Sequence, residues 1–176
     1  TVTEADLAAA ITLHAPPPEP ATRRRLAVHE AGLAVVAAAL GLPRPTRLTL
    51  SASGGQAEIR APDLFTLDSA TGWLAVMRAG RAAERLVLGD VSSAAGDGAG
   101  SDLDRATALV LDLECQWGLG DGGRMHAPVP RAHRLAAPGW LRAKVGGLLE
   151  EAEEEALTLL RRHRRALMRV TDRLSE

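Results

Sequence analysis

Aromatic residues are scarce in this chain: 2% of its 176 residues, three Trp, one Phe and no Tyr. The core therefore has to be built from Leu, Val and Ala, which favours helix packing. Neither sign of charge dominates. Lys plus Arg number 21 and Asp plus Glu 22, for a net charge of -1, which argues against a nucleic-acid footprint spread over the whole surface. The single Cys115 excludes an internal disulfide and fits a reducing, cytoplasmic compartment. No apolar run approaches the roughly 20 residues that a membrane span needs, and the N-terminus lacks a basic-then-apolar signal pattern. The expectation is a soluble chain with no membrane contact of its own and no nucleic-acid partner.

The length suits one main domain with a sizeable core and at most a short appendage. The opening TVTEADLAAAITLHA offers Thr3 as N-cap, answered by Asp6, and a short Ala/Leu helix that stops at PPPEP. Those prolines read as a stiff linker, so residues 1–21 form an appendage and residues 22–176 the domain. Thr22 is placed to cap a helix running to about Leu40, where Gly41 and Pro43 stop it. Leu26, Leu33 and Leu40 recur every seven residues, and His29 shares their stripe, which puts it on the buried face.

RLTL, the turn SASGG and QAEIR alternate polar with apolar as a hairpin does over residues 47–60. A helix over about 67–88 carries Trp73, Met77, Gly80, Glu84 and Val87 on one stripe. After SSAAGDGAG a third helix runs from about Asp102 to Trp117, capped by Ser101 with Asp104 answering. A Pro-rich loop over 118–138 precedes a long helical period over 140–174, with a bend expected at Gly146 and Gly147. EEAEEE, RRHRR and Arg23 to Arg25 read most simply as solvated faces, with an acidic-partner interface as the alternative for the arginines. The fold expected is mainly α with a small β-hairpin or sheet.

VHEAGLAVV, residues 28–36, raises the chemical question. A catalytic zinc takes three protein ligands and a water whose pKa it lowers. The helical form of the site spaces two His four residues apart, with a Glu after the first as general base. His29 and Glu30 are present, and Leu33 stands where the second His is expected. Taken alone, His-Glu in a helix is more often a packed or surface feature.

Several motifs in order add weight. VHEAGLAVVAAAL, GRAAERLVLGDVSS, SDLDRATAL and QWGLG resemble the successive signatures of the peptidase domain of FtsH-family ATP-dependent zinc proteases. The similarity covers roughly residues 23–176, and TEADLAAAI looks like the last helix of the ATPase module that precedes that domain. The resemblance implies an FtsH-type peptidase architecture, with His29 and Asp102 as metal ligands and Glu30 as the base that activates water. It also implies polypeptide substrates, a homo-oligomeric, six-fold ring, and a place at the cytoplasmic face of the inner membrane if the full protein is anchored. ATP would enter only through an upstream module, since no Gly-x-x-x-x-Gly-Lys-Ser/Thr occurs here.

Leu33 departs from that pattern at the metal site, as does the lengthened loop before Asp102. Loss of even an outer-shell partner costs roughly 10- to 100-fold in metal affinity, so zinc is expected to bind weakly or not at all. Leu33 can instead stabilise packing, by up to about 1.5 to 3 kcal/mol if fully buried. His126, His133, Cys115 and Glu84 are the candidates for a replacement ligand, each with a blander reading: surface-loop histidines, a small buried thiol, a carboxylate paired with Arg81, Arg85 or a helix end. For Asp102, a place in the first turn of a helix is favoured by the dipole without any metal. The hairpin over 47–60 either covers the helices or, as the resemblance implies, offers an edge strand to a peptide. Three functions follow: a degenerate peptidase that handles polypeptides without cleaving them, an active zinc endopeptidase with a recruited ligand, and a structural oligomerisation module.

Overall fold

The computed structural model describes residues 3, 18–43, 45–51, 54–121, 123 and 126–176. The helix expected after Thr3 lies outside the described residues. Among those described, five α-helices and one hairpin follow in the order α1 Pro20–Ala39, β1 Arg47–Ser51, β2 Gly54–Glu58, α2 Leu67–Leu88, α3 Asp102–Cys115, α4 Gly139–Arg162 and α5 Arg164–Ser175. Short 3-10 turns at Ser93–Ala95 and Arg131–Ala136 lie in the connections. The chain is mainly helical with a small antiparallel sheet, as its composition predicts. None of these helices is long and apolar enough to cross a membrane.

α1 begins earlier than Thr22. Pro20 opens it, with Glu19 at the N-cap position. Proline suits a first turn because its missing N–H would lack an intrahelical partner there, and that preference outweighs the hydroxyl cap. Every residue from Ala27 to Ala37 is buried, so the helix is enclosed on all sides over three turns. Leu26 and Leu40 are only half-buried: a seven-residue leucine stripe is not what defines the core. α2 packs on α1 and on α4, α5 returns to cover α1, and α3 closes against α2 and α4. Gly32 permits the close approach of α1 to α2, since a Cβ there would meet Ala79 O and the Ala83 methyl at 2.6 Å.

Two N-termini are fixed by local chemistry. Thr66 and Ser69 exchange bonds in a capping box, the Ser69 N–H donating to Thr66 Oγ1 at 3.2 Å and the Thr66 N–H to Ser69 Oγ at 2.9 Å. Ser101 Oγ accepts from the Asp104 N–H at 3.3 Å and starts α3 where its sequence predicts. The hairpin pairs Arg47 with Glu58 and Leu50 with Gly55, packs over α1, and among the described residues leaves the outer edge of β2 without a strand partner.

Helix α4 continues without interruption through Gly146 and Gly147 and ends at His163. The two glycines face outward or are half-buried, where nothing forces a kink. The break lets Leu167 and Thr171 fold back into the core.

Candidate functional site

His29 sits in the middle of α1 with its ring buried, 3% exposed, and three helices meet around it. Its Nδ1 lies 2.8 Å from Glu84 Oε1 on α2, and its Nε2 lies 3.3 Å from Asp102 Oδ2 at the first turn of α3. The ring rests on Gly80, where any Cβ would collide with the imidazole. That is why α2 carries glycine at this point of its buried stripe.

Glu84 is 1% exposed and accepts three hydrogen bonds. Besides His29 they come from Arg25 Nη1 at 2.8 Å and the Ser92 backbone N–H at 2.9 Å. Of the partners expected from the sequence, Arg81, Arg85 or a helix end, neither arginine reaches it, whereas Ser92 caps the 3-10 turn at Ser93–Ala95. Arg81 and Arg85 reach across to Glu153 and Glu154 on α4 instead. Arg25 correspondingly leaves the solvated face expected for it, bridging Glu84 and, at 2.7 Å, Asp90. Glu153, which also takes a 2.6 Å bond from the buried Arg78, ties α4 to α2 and is no solvated residue.

These contacts set the charges. Burial works against both members of the His29–Glu84 pair. Bonds to Asp102 and Glu84 nevertheless raise His29 to about 9, and bonds from His29, Arg25 and Ser92 lower Glu84 to about 2. Glu30 is different. Burial, with the charge of Asp102 adding to it against the opposing His29, raises its carboxyl to about 7. It is 6% exposed, with no hydrogen bond or ion pair among the described residues, and it faces Gly55 of β2, where a Cβ would meet its side chain at 2.6 Å.

His29, Glu30, Leu33 and Asp102 all line one cleft of about 490 Å³, walled further by Trp73, Met77 and the Gly54 to Ala57 stretch of β2. Leu33, one turn on from His29, presents its isobutyl group to that space and is 7% exposed. The residues do not fit a catalytic zinc, which needs three ligands and an open position. His29 and Asp102 supply two donors and Leu33 a hydrocarbon wall, and among the described residues no group of three His, Cys, Asp or Glu side chains is arranged to hold a metal. The proposed replacements lie elsewhere. His126 and His133 are exposed in the connection before α4, and Cys115 ends α3, the opposite end from Asp102. Glu84 buttresses the far nitrogen of His29 and does not line the cleft.

Sequence reasoning missed the Arg25–Glu84–His29 chain and the two glycines, 55 and 80, that make room for the site. The only available signal was a carboxylate and a glycine sharing the apolar stripe of α2, which names no partner.

No protein-family model matches the chain. Curated proteins do. The ATP-dependent zinc metalloprotease FtsH of Acidothermus cellulolyticus is 34% identical over 178 residues, covering 89% of this chain and 26% of that protein. FtsH 1 of Symbiobacterium thermophilum is 38% identical over 168 residues, 89% of this chain and 27% of its own. FtsH 2 of Sphaerobacter thermophilus is 32% identical over 170 residues, 88% and 25%. With a helix-borne His-Glu pair beside a carboxylate, these relationships define a metallopeptidase-type domain. More narrowly, the chain belongs to the FtsH family, with an FtsH-type peptidase-domain architecture. It spans about a quarter of the length of the curated relatives it matches.

Proposed function

We propose that this domain handles polypeptides within an ATP-driven, ring-forming assembly and has lost peptide hydrolysis. The observation that carries the reading is Leu33 in the wall of the cleft, beside His29, Glu30 and Asp102. A zinc at this place would supply Lewis-acid activation of water, and the donor set here does not hold one. Without it Glu30 has no activated water to deprotonate. What remains is a binding groove. The free edge of β2 can add an extended peptide through backbone hydrogen bonds, which tolerate many side chains, and the apolar wall of Leu33, Trp73 and Met77 can take a side chain from it. His29 and Asp102 are the proposed remnants of the metal site and Glu30 that of the catalytic base.

The test is zinc per chain after brief zinc exposure and desalting, with casein cleavage read alongside. The parent is expected to hold essentially no zinc and to leave casein intact, and Leu33→His to take up about one zinc. One zinc in the parent, with chelator-sensitive cleavage that Glu30→Gln abolishes, would overturn the reading in favour of an active peptidase.

A further inference from the structure

One polar side chain in the cleft has no use within the fold. Glu30 is 6% exposed and lines the cleft, yet it makes no hydrogen bond or ion pair among the described residues. Its neighbour differs: His29 is held on both sides, by Glu84 and Asp102. A buried carboxyl without a partner is costly to the fold. One that faces a cleft marks a place where a ligand supplies the missing donor.

The surroundings narrow the choice of donor. Leu33 and Met77, both buried, line the same cleft with Trp73, so an apolar wall and a carboxyl share one space. Lysine and arginine are built in that way, with a hydrocarbon stem that packs on apolar surface and a charged end that needs a polar partner. The charges agree. The carboxylates lining the cleft are Glu30, Asp97 and Asp102, and the cations are His29 and Arg105, so one further cation balances them. An acidic side chain would be repelled there, and an apolar one would leave the Glu30 carboxyl without a donor.

The strand geometry delivers such a side chain. Along β2 the half-buried Gly55 and Ala57 alternate with the exposed Gln56 and Glu58, and Gly55 lies against the Glu30 carboxyl. A strand added to the outer edge of β2 lies about 4.8 Å further out and alternates likewise. Every second side chain of it turns toward α1, and a long one spans the step to Glu30.

We infer that the cleft takes a basic side chain, lysine or arginine, from a polypeptide added to the edge of β2, with the charged end at Glu30 and the stem along Leu33 and Met77. This rests on the peptide-binding reading given above and adds the class of side chain that is selected. Glu30 is then a specificity-determining residue.

Fluorescence anisotropy with three labelled peptides tests it. They share one alternating Val-Thr sequence and differ only at the central residue: lysine, norleucine, which keeps the stem without the charge, or glutamate. The lysine peptide should bind about tenfold or more tighter than the norleucine peptide, as a charge-assisted hydrogen bond in a buried site provides, and the glutamate peptide should bind most weakly. Glu30→Gln, which keeps the size of the side chain, should bring the lysine peptide to the affinity of the norleucine peptide and leave the latter unchanged. Should that variant lose its helical circular dichroism, competition on the parent replaces it: N-acetyl-lysine methylamide should displace the lysine peptide and N-acetyl-norleucine methylamide should not. Equal binding of the lysine and norleucine peptides, or a lysine preference that survives in folded Glu30→Gln, overturns the inference and leaves the peptide-binding reading standing. Failure of all three peptides to bind removes that reading and the inference with it.

Discussion

His29 is held on both sides by carboxylates, and that arrangement makes its environment the most charge-dependent part of the core. Burying an ion pair is tolerable only when its remaining hydrogen-bonding capacity is met, and Arg25 and the Ser92 N–H meet that of Glu84. Replacing Glu84 with Ala strands a buried histidine and should cost about 3 to 5 kcal/mol, read from denaturant unfolding. The pH dependence of this cost has a definite sign. His29 is raised from 6.5 to about 9, so its contribution is complete below pH 6.5 and disappears as pH rises through 9. Glu84 is lowered from 4.5 to about 2, so its contribution is present above pH 4.5 and disappears as pH falls through 2. The stability gap between parent and Glu84→Ala should therefore be widest between pH 4.5 and 6.5 and narrow on both flanks. A gap constant from pH 3 to 10 would contradict the charged pairing. Leu33 acts at the same scale in the opposite sense, adding buried side-chain area to the core.

Within elements, the same substitution has opposite expected effects at two glycines. Gly→Ala in an exposed helix interior stabilises by up to about 1 kcal/mol. Gly146 of α4 is exposed, with no atom within 4 Å of a Cβ built on it, so Gly146→Ala should raise the melting midpoint. Gly80 of α2 lies under the His29 ring, so Gly80→Ala should lower it, by about 1 to 3 kcal/mol for an overpacked core. Two rises in thermal denaturation would mean that α2 can move away from α1. On α5, Thr171 is fully buried with a hydroxyl that has no hydrogen-bond partner among the described residues. An unsatisfied buried polar group costs about 1 to 3 kcal/mol. Thr171→Val keeps the shape and removes the group, and it should stabilise the protein by about 1 kcal/mol in urea unfolding.

For the whole molecule, Glu84 and Asp102 reach His29 from two other helices and tie the junction of α1, α2 and α3 through protein groups. Stability is therefore expected to be independent of metal. The parent's melting midpoint should not change with a chelator, whereas Leu33→His loaded with zinc should lose stability when the metal is removed, because a ligand that binds only the folded state stabilises it. A chelator-sensitive parent would count against the loss of the metal site. Cross-helix ion pairs such as Arg78–Glu153 fasten α4 to α2.

Much was fixed by short-range chemistry and is legible in the sequence: the mainly helical class, the hairpin, α2 over residues 67–88 and the Ser101 start of α3. These depend on periodicity and caps, which act over a few residues. The family could be read from ordered motifs, whereas the lengthened loop before Asp102 left its placement open in the sequence, and the fold brings it to one cleft with His29 and Glu30. Tertiary structure decided the rest. Whether Glu84 pairs with Arg25 or with Arg81 depends on which helix faces α2 on each side, information that no local pattern holds. The break at His163 instead of at Gly146 and Gly147 was set by the need of α5 to return to α1. Leu33 by sequence is one more apolar residue in an apolar helix. Only the approach of α3 and β2 makes it the wall of a cleft.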